Sequence, residues 1–281
     1  MPGPFRLDRS LIGVSGPDTR SYLQGMLTQD LGKLEFSRTL YAAHLSPQGK
    51  VIADMIVWGA GAGGVLIEAA PIHAVTLLRR LSLYRLRAQA ASENVSALYS
   101  VAWSEAPFED ATPDPRFPDG ALGWRKLVLK HEADALKDGA VAYEQARIAL
   151  GVPDLARDGA SEEVFALEGL LEELNGVDFQ KGCFVGQENV SRMKRRATTR
   201  RKFCPIVFEG PAPTHSAPIR AGEAEIGSVR TGEPGRAIAL LRLDRALEAI
   251  GRDQALSAEG RQVRLDPPSW LLLPQRDGEA D

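Results

Sequence analysis

Residues 166–188 read ALEGLLEELNGVDFQKGCFVGQE, an apolar run that stops at Asn175 and Gly176 and passes into a glycine-flanked segment carrying one of only two cysteines in the chain. Upstream, Ser161 is a candidate N-cap, Glu162 and Glu163 follow at the positive end of a helix dipole, and Val164, Phe165, Leu167, Leu171 and Leu174 fall on or near one side. That spacing predicts a helix ending at Asn175–Gly176. Beyond it, Cys183 lies in a turn or loop between Gly182 and Gly186. A free thiol has a pKa of about 8.5, and neighbouring cations lower it. Lys181 is close by, and seven of the eleven residues from Arg192 to Lys202 are basic with no acid among them. Two readings stay open: a small core residue, as many free cysteines are, or a reactive thiolate. One thiol cannot hold an iron–sulfur cluster, which normally takes about four cysteine ligands, so cluster chemistry here would need ligands from a partner.

Outward from this segment the composition is that of a globular protein. The chain has 281 residues, 44% hydrophobic and 25% charged, long enough for roughly two domains at about 150 residues each. A net charge of -3 argues against a dedicated nucleic-acid coat. Cys183 and Cys204 form neither a disulfide framework nor a CxxC pair, which suits a reducing compartment. The N-terminal MPGPFRLDRS lacks the apolar core of a signal peptide, and no stretch has the roughly 18 apolar residues of a membrane span. The expectation is a cytoplasmic protein without direct membrane contact.

FRLDRSLIGVSG (residues 5–16) reads as a strand and PDTRSYLQGMLTQDL (17–31) as a helix with Tyr22, Leu23, Met26 and Leu27 on a buried face. LYAAHLSPQGKVIADMIVW (40–58) is two apolar runs joined by a Pro–Gly turn, hence a hairpin. Gly59, Gly61 and Gly64 satisfy GxGxxG by letter, but VLIEAA follows as a strand where a dinucleotide site needs a helix, so the glycines mark a turn. PIHAVTLLRRLSLYRLRA (71–88) is an amphipathic helix with Val75, Leu78, Leu81 and Leu86 among its apolar positions. ALYSVAW and WRKLVLK read as strands around APFEDATPDPRFPDG (106–120), a surface loop or linker. From about Phe203, short strands alternate with Gly and Pro, which predicts a small β-barrel. His44, His73, His131 and His215 are scattered and no GxxxxGK[ST] loop occurs, so a zinc or nucleotide enzyme is not expected.

KGCFVGQE resembles the signature K-G-C-[YF]-x-G-Q-E of the YgfZ family, folate-binding proteins of iron–sulfur cluster assembly and repair related to the glycine-cleavage aminomethyltransferase. SYLQGMLTQDL, AAHLSPQGKVIADMIVW, ARIALGVPD and IGSV followed by AIALLRLD fall in the family's order. The resemblance implies an α+β, three-domain ring of the aminomethyltransferase type: a discontinuous folate-binding part at residues 1–45 and 115–198, a second ferredoxin-like α+β part at 46–114, and a C-terminal β-barrel at 199–281. It implies tetrahydrofolate or a derivative as cofactor, with Asp54 binding it and Arg147, Glu168 and Lys181 assisting. Relatives carry two adjacent acids where this chain has Ala53 and Asp54, which keeps binding and puts methylene transfer in doubt. Arg147 and Glu168 have structural readings as well, a salt bridge between domains and a solvated helix residue. Cys183 is then the reactive group, with Asp54 the other catalytic candidate, and Gly182, Gly186, Gln187 and Glu188 shape the loop. The implied partners are iron–sulfur assembly proteins or cluster-containing clients, among them tRNA-modifying enzymes, with no direct RNA binding expected because no aromatics interleave the basic run. The alternative is a folate-dependent one-carbon transferase, an aminomethyltransferase or demethylase.

Overall fold

The computed structural model describes residues 3–34, 39–196 and 199–274. Residues 197–198 of the basic run and 275–281 of the expected barrel domain lie outside the described residues. The chain opens with β1 (Phe5–Leu7), β2 (Ser10–Ser15) and α1 (Thr19–Met26), then forms the hairpin β3 (Thr39–Leu45) and β4 (Val51–Gly59) around the SPQGK turn. β5 (Val65–Ala69) leads through Pro71, at the first helical position, into α2 (Pro71–Tyr84). β6 (Ala91–Asn94), β7 (Tyr99–Ser104), β8 (Thr112–Pro113), β9 (Trp124–Leu129), α3 (Lys130–Ala133) and α4 (Ala140–Leu150) follow. After a long turn-rich segment come α5 (Gln187–Arg196), β10 (Arg201–Val207), β11 (Pro218–Ala221), β12 (Ala224–Glu233), β13 (Arg236–Arg242), α6 (Leu243–Gly251), β14 (Leu256–Ala258) and β15 (Arg261–Leu265).

Three sheets result: a five-stranded antiparallel sheet ordered β3-β4-β5-β2-β6, a four-stranded one ordered β1-β7-β9-β8, and a closed barrel β10-β13-β12-β11-β14-β15. The barrel and the mixed α/β remainder agree with the sequence expectation. β3 and β4, on opposite sides of the boundary expected at residues 45 and 46, form one hairpin with Ala43 opposite Asp54.

Strand alternation sorts β4 into two faces. Ala53, Met55 and Val57 pack with Leu23 and Met26 of α1 and Leu77 and Leu81 of α2. Ile56 and Trp58 belong to the larger core shared with the barrel, and Asp54 alternates onto their side. The missing second acid, Ala53, is thus a fully buried core position beneath the helices.

Three expectations are corrected. Residues 161–175 form consecutive turns rather than a helix. Glu162 donates its N–H to Val51 O at 2.7 Å, Val51 donates back to Val164 O at 2.8 Å, and Ala166 reaches Gly49 O at 3.2 Å. Three backbone groups at the start of the segment are thus tied to the β3–β4 hairpin, and the left-handed φ of 62°, 62° and 58° at Glu162, Leu170 and Asn175 breaks any continuous helix. The apolar residues are nevertheless buried: Val164, Leu167, Leu171 and Leu174 are at most 3% exposed. On α2, His73, Ala74, Leu77 and Leu81 face inward, whereas Val75 and, beyond the helix, Leu86 point to solvent. The 106–120 loop is not purely superficial, because Asp114 and Arg116 are buried.

Candidate functional site

The loop around Cys183 is fastened at three places. Lys181 is buried, and its ammonium donates to Gln24 O (2.8 Å), Leu27 O (2.6 Å) and Gln29 O (2.9 Å) at the C-terminal end of α1. A lysine has three donors, so all are used and none remains for the thiol or a folate tail. Carbonyls at a helix C-terminus are the negative end of its dipole, which is why a cation settles there. Burial pushes Lys181 down to about 8, against the opposing pull of Asp30 and Asp178. Second, Val185 donates to Gly25 O at 3.1 Å. Third, Gly186, at φ +84°, lies against the hairpin turn: a Cβ there would meet Ser46 O at 2.6 Å and the Gly49 Cα at 3.0 Å. Only a glycine permits that backbone contact. Asn189 closes the joint by donating to Gln48 O at 2.8 Å.

Between these fasteners Cys183 is exposed, and a Cβ added at Gly182 would meet open space. Cys204, by contrast, is in the barrel core, where burial pushes its thiol up to about 12. Gln187 and Glu188 begin α5, with the exposed Glu188 in its positive first turn, rather than forming the loop itself. The rest of α5 is basic: Lys194 pairs with Glu172 and lies 5.5 Å from the Phe179 ring, and Arg192, Arg195 and Arg196 are exposed.

Asp54 occupies a second place. It is 7% exposed and its Oδ2 accepts from the Tyr41 hydroxyl at 3.0 Å. Burial and the adjacent Asp54 push the Tyr41 phenol well above its ordinary value, so Tyr41 stays a donor. The Arg116 guanidinium stacks over the Tyr41 ring at 5.4 Å. It is held by a bidentate bond to Asp114 (2.9 and 2.8 Å) and donates to the Tyr143 hydroxyl at 2.5 Å. Arg125 extends the network by donating to Asp114 at 2.6 Å, Glu68 at 2.5 Å and Tyr143 at 2.9 Å. Burial opposes the Asp114 charge, but Arg116 and Arg125 outweigh it and hold the carboxyl well below the usual range. Likewise Asp154, penalised by burial, is kept ionised chiefly by Arg9 and Arg147. Tyr41, Arg116, Tyr143 and Asp154 were not singled out from sequence; the DPR triplet at 114–116, opposite charges around a proline, was the available signal.

The cleft lined by Arg9, Tyr41, Asp54, Arg116, Tyr143 and Asp154 has a free volume of about 10 Å³, room for about one water. A carboxylate suits the donor edge of a pterin, but a cleft of this size, walled by the Arg116–Asp114–Tyr143 network, has no room for tetrahydrofolate. None of its lining residues comes from the 179–188 loop.

The remaining candidates are fasteners. Arg147 is buried, with Nε and Nη2 on Glu144, Nη1 on Val152 O (3.1 Å) and Asp158 (2.9 Å), and Nη2 also on Thr231 of β12 at 2.6 Å. Its donor fork is occupied in joining α4 to the barrel, the structural reading. Glu168 is not solvated: it takes Arg201 of β10 at 3.1 and 3.0 Å and the Phe165 N–H at 2.9 Å. Among the described residues no three His, Cys, Asp or Glu side chains gather into a metal site.

Comparison with known proteins places this geometry. Residues 200–272 match the family model for the CAF17 C-terminal β-barrel domain. The human mitochondrial iron–sulfur cluster assembly factor IBA57 is 30% identical over 308 aligned positions, covering 95% of this chain and 84% of the relative. The Neurospora crassa homologue is 32% identical and covers 73% of this chain, which spans 54% of that longer protein. Among solved structures, the glycine cleavage system aminomethyltransferase T of Bartonella henselae superposes with a TM-score of 0.76 over 98% of this chain and 87% of its own, at 15% identity, a likeness of fold. The expected family therefore holds in its broader form, an iron–sulfur cluster assembly factor with an aminomethyltransferase-like fold. The relatives are named as mitochondrial, which overturns the cytoplasmic expectation: mitochondrial targeting segments are amphipathic and arginine-rich, so the lack of an apolar leader could not decide the compartment.

Proposed function

The chain belongs to the family of iron–sulfur cluster assembly factors that includes IBA57, and from that premise we propose that it works in assembly through the exposed Cys183 thiol, as one ligand to a cluster shared with a partner protein. The observation that carries this reading is the contrast between the two cysteines: Cys204 is sealed in the barrel, while Cys183 is presented to solvent on a loop tied down on both sides. On ligating, the Cys183 thiol would lose its proton to solvent and its sulfur would bind iron. The other ligands belong to the partner, since a cluster normally takes about four. The exposed arginines of α5, a helix that begins four residues beyond the thiol, favour an acidic docking face on that partner. Client enzymes then depend on this chain indirectly, tRNA-modifying ones among them.

No step runs through folate, because the Asp54 cleft does not fit it. The same fact weighs against the alternative of a one-carbon transferase. The test is complementation: in cells depleted of the native protein, Cys183→Ser should fail to restore a cluster-dependent enzyme while Asp54→Asn restores it. Full restoration by Cys183→Ser would end the proposal, and failure of Asp54→Asn alone would return the case to folate chemistry.

A further inference from the structure

α2 is apolar on both sides. Its inner face is packed on the five-stranded sheet, yet its outer face carries Ile72, Val75 and Leu83 at 74%, 77% and 69% exposure, and Leu86 just beyond the helix is 85% exposed. Counted from Ile72 these are i+3, i+11 and i+14, with Arg79 at i+7, so they form one stripe roughly 20 Å long at about 1.5 Å per residue. A helix that is apolar all round is ordinarily covered on all sides. Leu86 also has φ +52°, at the left-handed position after a helix where glycine is usual. A leucine is therefore held in a disfavoured backbone state with its side chain in water.

Charge narrows what covers the stripe. Arg79 lies within it, Arg80, Arg85 and Arg87 are its neighbours, and no acid occurs from Ala70 to Ser92. Arg80 pairs with Glu162 at 3.2 Å and Arg85 donates to Ala90 O at 3.3 Å; Arg79, Arg85 and Arg87 are exposed. A second copy is a poor occupant, because a two-fold contact would set arginines against arginines with no acid to pair them. A negatively charged occupant would complement this face. Protein hot spots favour Trp, Tyr and Arg seated in pockets, and leucine and valine are under-represented there. Here the surface is a ridge of aliphatic side chains edged by arginine, the make-up of an interfacial amphipathic helix. We propose that the outer face of α2 docks on an anionic lipid surface, the aliphatic stripe entering the headgroup boundary and Arg79, Arg85 and Arg87 meeting lipid phosphates.

The test is flotation of the full-length protein with vesicles of phosphatidylcholine alone or mixed equally with phosphatidylglycerol. The protein should float with the mixed vesicles and not with the neutral ones, with binding that falls as salt rises. Arg79→Gln/Arg85→Gln/Arg87→Gln should weaken binding about 100-fold, at about one kcal/mol for each arginine. Ile72→Ser/Val75→Ser/Leu83→Ser/Leu86→Ser should abolish it, with an unchanged unfolding midpoint showing that the fold survives. Absence of flotation with either vesicle would overturn the proposal in favour of an acidic protein partner. Flotation unaffected by both variant sets would overturn the assignment to α2, and a wild-type chain that elutes as a dimer dispersed by the serine variant would replace lipid with a second copy.

Discussion

Replacing Lys181 with methionine keeps most of the side-chain stem and removes the ammonium that gathers Gln24 O, Leu27 O and Gln29 O. Hydrogen bonds to a charged group net about 1.5–3 kcal/mol each, so three amount to roughly 5–9 kcal/mol. Against this stands the burial that lowers Lys181 from 10.5 to about 8, worth about 3 kcal/mol at 1.36 per pKa unit. The net loss expected for Lys181→Met is about 2–6 kcal/mol at pH 7, read from urea unfolding. The sign with pH is a separate check. In the window between about 8 and 10.5 the folded protein has released this proton and the unfolded chain has not, so the unfolded state binds more protons and stability rises with pH. The wild type should therefore gain on Lys181→Met across that window, by up to about 3 kcal/mol. A wild type that instead loses ground there would show that the carbonyls outweigh burial and hold Lys181 above its ordinary value, refuting the balance of effects assumed. The local readout is amide exchange at Val185, whose N–H donates to Gly25 O. Exchange unchanged in the variant would show that Lys181 does not fasten the loop.

Gly186→Ala should destabilise by at least about 1–2 kcal/mol from the left-handed backbone alone, with additional loss because its Cβ would meet Ser46 O at 2.6 Å; thermal unfolding and amide exchange at Gly49 report it. Arg147→Met leaves Asp158 buried without its guanidinium partner, which should cost about 3–5 kcal/mol in the unfolding midpoint. Native protein should yield one rapidly reacting thiol to a disulfide reagent, Cys183, with Cys204 reacting only on unfolding, since burial pushes it up to about 12; two fast thiols would contradict the sealed barrel. Asp114, held low by Arg116 and Arg125 once burial is outweighed, contributes stability that is complete above the ordinary Asp value of about 3.9 and lost as pH falls below it. The stability difference between wild type and Asp114→Asn should therefore shrink on acidification from pH 5, and a difference that grows would reverse the assignment.

What could be read from sequence was what local periodicity and turn chemistry determine. SPQGK between two apolar runs is a hairpin wherever it occurs, and the strands after Phe203 are punctuated closely enough to imply the barrel. Residues 161–175 have a helical spacing, but Glu162, Val164 and Ala166 pair with β4 and the hairpin turn and Glu162, Leu170 and Asn175 turn left-handed, so tertiary pairing overrides propensity. On α2 both sides are apolar, so period alone could not say which faces the sheet. Asp114 and Arg125 are eleven residues apart and Glu68 is much further away, so their network is invisible until the sheets assemble.

The same limit explains the candidate site. Arg147, Glu168 and Lys181 look like ligand-binding groups because they are polar residues in a recognisable pattern, and in the fold each has its hydrogen-bonding capacity occupied by the protein itself. Within KGCFVGQE, lysine ties the loop to α1, Phe184 is buried beneath the Lys181 ammonium at 5.1 Å, the valine bonds Gly25, the second glycine admits the hairpin turn, and the last two residues open α5. Each of these holds backbone in place, and cysteine is the residue left facing outward with chemistry to offer. A pattern so largely devoted to position implies that the direction in which the thiol points matters as much as its presence. Lys181→Met and Gly186→Ala should then impair cluster-enzyme complementation while leaving Cys183 fully reactive toward a small disulfide reagent. Variants that unfasten the loop yet complement like wild type would reduce the octapeptide to a stability element around an incidental thiol.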